Sequence, residues 1–171
     1  MVIALVDYMG SGKSTVGKAL AASQGMPFTD LDDYIEQRLG QSIPEVFRSR
    51  GELYFRKKEH ELLRQWLEGH DSGVLALGGG TPCYAGNMDL LLEYTPQVVY
   101  LQLPVPALAA RLRQEQEQRP LVAHLSAEEL PEFIGKHIFE RAPFYARAPY
   151  VVNCEGLATK AIVQEISRLL F

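Results

Sequence analysis

The chain has 171 residues, 47% hydrophobic and 22% charged, with a formal net charge of −4 at pH 7. That length fits one domain, 1–171, with a sizeable core, and the acidic balance excludes the basic footprint of a nonspecific nucleic-acid binder. No apolar run approaches the roughly 20 residues that span a bilayer, the N-terminus has no basic segment ahead of its apolar run, and Cys83 and Cys154 form neither a metal-binding spacing nor a disulfide framework; the expectation is a cytoplasmic protein with no membrane or nucleic-acid partner.

Val2–Val6 reads as a buried parallel strand. Gly10-Ser11-Gly12-Lys13-Ser14-Thr15 follows and opens a helix that runs from Ser14 to about Gln24, with Gly25 as its stop. A strand, a glycine turn and a helix start make a phosphate cradle. The glycines turn backbone N–H groups toward an anion, and the helix adds unpaired N–H groups and its positive dipole end. Lys13 would reach the outer phosphates, and the Ser14 hydroxyl would take a coordination position on Mg²⁺. The pattern G-x-x-x-x-G-K-[ST] has one departure here: Asp7 stands where the first glycine belongs. At about 6 Å from a phosphate charge, with an effective dielectric of about 20, its carboxylate would be repelled by roughly 3 kcal/mol before screening. Lys13 and Mg²⁺ could offset that, or the side chain could point away.

Met26–Thr29 reads as a second strand running into Asp30-Leu31-Asp32. If the chain stays extended there, both carboxylates face one side, one to hold Mg²⁺ through water and the other to accept a hydroxyl proton. The alternative is that Asp32 or Asp33 caps the next helix. That helix is expected from about Asp32 to Leu39, another from Pro44 with Ser42 as its cap, and a long amphipathic one from Glu52 to Leu67. Arg56 lies on the long helix among solvated charges. Val74–Leu77 is an apolar strand running into Gly78-Gly79-Gly80, where exposed N–H groups allow a ligand's close approach.

A helix near Asn87–Glu93, a strand over Gln97–Leu103 and a helix over Pro106–Arg113 come next. The polar stretch 114–130, with Arg119-Pro120 inside it, is long enough to be a lid whose arginine closes over a transferring phosphoryl, or a solvated, disordered loop. Pro131–Tyr145 begins as helix and carries Arg141 beside Pro143 and Tyr145. Tyr150–Asn153 is a last strand and Leu157–Leu170 a last helix. The four histidines, with no ligand spacing, read as surface residues. Five strands alternating with helices predict a three-layer α/β/α sandwich around a five-stranded parallel sheet, with ligands beyond the strands' carboxyl ends.

In order, GSGKST at 10–15, D-x-D at Asp30 and Asp32, G-E-x-x-F-R at 51–56, LGGG at 77–80, R-P at 119–120 and R-A-P-x-Y at 141–145 resemble the shikimate kinases, of the nucleoside-monophosphate-kinase-like P-loop class. The resemblance runs nearly end to end. It implies a P-loop kinase fold with a mobile lid at about 114–130, a substrate-binding helical region at about 32–60, and a monomer. It also implies transfer of the ATP γ-phosphoryl to the 3-hydroxyl of shikimate, with Mg²⁺ as cofactor. Asp32 is then the base and a shikimate contact, while Arg56 and Arg141 grip the substrate carboxylate. Gly78, Gly79 and Gly80 touch the substrate. Gly10, Ser11, Gly12, Lys13, Ser14, Thr15, Arg111 and Arg119 bind ATP, with Lys13 and Arg119 acting in catalysis. Ser14 and Asp30 hold the metal. Two alternatives stay open: a kinase for another small polyol acid such as gluconate, and a relative that binds nucleotide or shikimate with little turnover because of Asp7.

Overall fold

The computed structural model describes residues 1–171. Its five strands are β1 (Val2–Val6), β2 (Phe28–Asp30), β3 (Gly73–Ala76), β4 (Val98–Gln102) and β5 (Tyr150–Asn153). They form one parallel sheet in the order β2-β3-β1-β4-β5. Parallel neighbours need crossovers, and here helices supply them: α1 (Lys13–Gln24), α2 (Leu31–Leu39), α3 (Ile43–Arg50), α4 (Glu52–Gly69), α5 (Asn87–Tyr94), α6 (Val105–Glu115) and α7 (Glu129–Tyr145), while α8 (Thr159–Leu170) follows the last strand. The central strand is covered on both faces, with Ile3 through Val6 fully buried, which is why it reads as an unbroken apolar run rather than an alternating one. Ala4 pairs with Leu75 on one side and Val98 on the other.

Forty buried residues form one hydrophobic cluster around this sheet. Trp66 of α4 is its largest member, and the indole N–H donates to the Thr29 hydroxyl of β2 at 3.2 Å, so the polar edge is satisfied as the ring is buried. The chain leaves β1 for β2 and β3 on one side, then crosses to β4 and β5 on the other. The carboxyl ends of β1, β2 and β3 therefore open together, at the place where parallel sheets of this kind hold ligands.

Three expectations change. Asp30 is the last residue of β2, and its carboxylate accepts from the backbone N–H groups of Asp32 and Asp33. That cap turns the chain into α2 at once, so Asp32 sits in a first helical turn and not on an extended strand; Asp30 is the cap, in place of Asp32 or Asp33. Helix α7 runs to Tyr145 with Pro143 inside it. Pro143 and Phe139, whose carbonyl loses its intrahelical donor, are both exposed, so the interruption falls on the solvent side of the helix. Segment 114–130 is built of turns and not an open loop: the Gln116 amide donates to the Val122 and Leu125 carbonyls, Val122 is fully buried, and Ser126 and Glu129 cap each other.

Candidate active site

Gly12 precedes α1 at φ 89° and Gly10 has φ 82°, the left-handed backbone that lets the loop curl over the helix N-terminus. A cavity of about 420 Å³ opens there, with Gly10, Gly12, Lys13, Ser14 and Thr15 on one side and Asp30, Asp32, Gly78 and Gly79 on another. Arg111 and Arg119 complete the wall. Ser11 is not part of it: its side chain is buried and its carbonyl accepts from Arg111 at 2.6 Å, which ties α6 to the phosphate loop.

Ser14 Oγ donates to Asp30 Oδ2 at 2.5 Å. Two hard oxygens side by side on the cavity wall fit a Mg²⁺ ion, which takes few protein ligands and keeps waters and phosphate oxygens for the rest. No cluster of three or more His, Cys, Asp or Glu side chains is placed to cage a metal by protein alone. Asp7 is 1% exposed and paired with Lys13; it is not part of the cavity wall. Burial pushes its carboxyl up to about 7, against the opposing pull of Lys13 and Arg111.

Asp32 backs onto Gly78 so closely that a Cβ at Gly78 would lie 2.8 Å from Asp32 Oδ1. The glycine is required there because any side chain would displace the carboxylate. Burial, then the charges of Asp30 and Glu59, raise Asp32 to about 6, with Lys13 pulling the other way. Such a group is ionised at neutral pH and still basic enough to take a proton.

The two arginines meet at the glycine run. A Cβ at Gly80 would lie 2.9 Å from Arg56 Nη2 and 3.4 Å from Arg141 Nη2, and one at Gly79 would lie 3.6 Å from Arg141 Nη1. They share a second cavity of about 570 Å³. Two guanidiniums at one backbone position repel each other, and an anion between them relieves that repulsion; the planar forks match a carboxylate. Gly79 lines the first cavity and turns its side-chain position toward the Arg141 guanidinium, so phosphate site and arginine pair share one edge.

The supporting groups were not legible in the sequence. Glu59, 2% exposed, accepts from Arg56 Nη1 at 2.9 Å and from the Thr81 hydroxyl at 2.8 Å; its spacing of three from Arg56 on a helix was the available signal. The Tyr84 ring lies 3.9 Å from the Arg56 guanidinium carbon. Tyr145, buried, donates its hydroxyl to the Gly79 carbonyl at 2.5 Å. Two histidines also depart from the surface reading. His60 bonds Asn87 at 2.7 Å, and His137 bonds the Tyr8 hydroxyl at 2.9 Å, where burial and then Arg141 hold it below its usual value. Arg119 pairs with Glu115 at 2.6 Å, and both line the cavity.

The shikimate kinase family model matches residues 9–170. The chain belongs to the shikimate kinase family. It is 40% identical to a shikimate kinase of Flavobacterium psychrophilum, over 99% of this chain and 98% of that protein. A crystal structure of shikimate kinase from Bacteroides thetaiotaomicron superposes with a TM-score of 0.91 at 37% identity, covering 99% of this chain and 98% of that one. The shikimate kinase of Acinetobacter baumannii, solved in complex with shikimate, has a TM-score of 0.87 at 34% identity, covering 99% and 92%. The five-stranded parallel sheet and its helices are thus the P-loop kinase fold of this family. No helix is long and apolar enough to cross a membrane.

Proposed function

We propose that the chain transfers the γ-phosphoryl group of ATP to the 3-hydroxyl of shikimate, giving shikimate 3-phosphate and ADP. The observation that carries this reading is the meeting of Arg56 and Arg141 at Gly80, with Asp32 and the phosphate loop on the adjoining edge. A paired-guanidinium cleft suits a small carboxylate, and a carboxylic acid bearing ring hydroxyls bridges it to the phosphate side. The relative solved with shikimate supports the same choice.

In this reading the Arg56–Arg141 pair fixes the carboxylate and so orients the ring. The backbone of Gly78 to Gly80 lets the ring approach, and Asp32 accepts the proton of the attacking hydroxyl. Lys13, the N–H groups at Gly10 to Thr15 and Arg111 hold the triphosphate, and Arg119 moves from Glu115 to the phosphoryl as segment 114–130 closes. Ser14 and Asp30 would hold Mg²⁺, which supplies charge neutralisation on the phosphates. Phosphoryl transfer asks a protein for position and charge more than for covalent chemistry, and these residues supply both. The division into a substrate region at about 32–60 and a lid at about 114–130, within one monomeric cytoplasmic domain, belongs to the same proposal; Cys83 and Cys154 are both unbridged.

Phosphorus NMR of a reaction with Mg²⁺-ATP and shikimate tests it. ADP and a single new ester on the 3-oxygen are expected. ADP without that ester, or an ester on another hydroxyl, contradicts the assignment.

A further inference from the structure

Asp7 follows β1 and is 1% exposed. One carboxylate oxygen takes the Lys13 ammonium, and the other, Oδ2, has no partner. A buried carboxylate with half its hydrogen-bonding capacity unmet keeps its charge only while its cation stays. Lys13 lines the phosphate cavity and Asp7 does not. The general phosphate-loop pattern has glycine at this position, so its lysine faces no competing side chain. In this chain two anions compete for one ammonium, the Asp7 carboxylate and the triphosphate.

We infer that Asp7 is a positioning residue that holds the Lys13 ammonium and releases it to an incoming triphosphate by taking up a proton. The inference rests on the kinase reading above. The balance is simple. An O–H bond forms on Asp7, a buffer acid loses that proton, and Lys13 exchanges a carboxylate for phosphate oxygens. Asp7 cannot follow the lysine, because it is the first residue after the central strand and its backbone is held so close to β3's exit that a Cβ at Gly79 would lie 3.4 Å from its carbonyl oxygen.

The groups that face Asp7 are Lys13 from α1, Arg111 from α6, Tyr100 from β4, Tyr145 from α7 and Cys154 just after β5. Burial raises both tyrosines, and raises Cys154 to about 11, so all three stay neutral between pH 6 and 8. Asp7, held near 7, is the member of this set that changes charge in that range. Losing Lys13 and gaining a phosphate neighbour both push it higher. Protons are therefore taken up on binding, and affinity falls as pH rises through 7.

The test is calorimetric titration of the Mg²⁺ complex of an imido analogue of ATP, without acceptor, in buffers of different ionisation enthalpy. At pH 7 the natural chain should take up about half a proton per site more than Asp7→Asn, which keeps the shape and removes the charge. Between pH 6 and 8 its affinity should weaken about tenfold more than that of Asp7→Asn. Asp7→Gly, the second variant, should behave as Asp7→Asn does. Ionisation of the analogue itself is common to all three proteins and cancels. Equal proton uptake and parallel pH profiles in the natural chain and both variants would overturn the inference and leave the kinase reading intact. Absence of triphosphate binding in all three would overturn both.

Discussion

Gly80 is where two guanidiniums from different helices come against one backbone position. Arg56 is fixed there from three sides, by Glu59, by the Tyr84 ring and by its neighbours on α4, while Arg141 comes from α7 and reaches Gly79 as well. Fixed donors lose little entropy on binding, so both should contribute to affinity and little to the chemical step. Asp32, as the proposed base, should do the reverse, since proton removal from the hydroxyl belongs to the transition state. Arg141→Ala is expected to raise the shikimate Kd by about 10- to 100-fold with nucleotide affinity unchanged, on the scale of one charge-assisted pair. Asp32→Asn is expected to lower kcat by about 100-fold or more with shikimate Kd nearly kept. Steady-state kinetics with equilibrium titration of each substrate checks both. Equal loss of both affinities in Arg141→Ala, or normal kcat in Asp32→Asn, would remove these residues from their roles. Arg56, Arg141 and Asp32 could be picked out in the sequence by their motifs. Glu59 had only its spacing of three from Arg56 as a signal, and Tyr84 had none, because its value is in what it touches across the fold.

The junction between β2 and α2 shows how an element boundary sets chemistry. Read as an extended D-x-D, the segment puts two carboxylates on one face; folded, Asp30 caps α2 and bonds Ser14, and Asp32 rises from the first helical turn onto Gly78. The local signal was ambiguous because an Asp at a strand end both tolerates extension and caps a helix. The same double role makes a separable prediction. Asp30→Ala loses the cap and the Ser14 partner, so it should cost about 1 kcal/mol of stability and also weaken Mg²⁺-dependent nucleotide binding. Asp30→Asn keeps a capping oxygen, so it should melt near the natural chain while losing metal-dependent binding. Thermal melts with Mg²⁺ titrations in the presence of ATP distinguish them; a stability loss as large in Asp30→Asn would show that capping is not what the carboxylate contributes. Helix α7 is the other boundary that local rules left short: the segment reads as helix only at its start, yet Leu130, Ile134 and Tyr145 bury the same helix face into the core and hold it past Pro143.

At the scale of the molecule, the sheet was legible because each strand is a short apolar run between turn signals, and because strands alternating with helices leave few topologies. The order β2-β3-β1-β4-β5 was not legible, since the runs look alike and nothing local says which lies at the centre. That order is what brings the ends of β1, β2 and β3 together and makes one site of six scattered motifs. The central claim is that this site phosphorylates shikimate and discriminates by the arginine cleft. ADP release with Mg²⁺-ATP, comparing shikimate, quinate and gluconate as acceptors at equal concentration, tests it most directly. Turnover with shikimate, at a kcat/KM well above that for either other acid, is the predicted result. A preference for gluconate, or no ADP release with any of the three on folded protein, would contradict it.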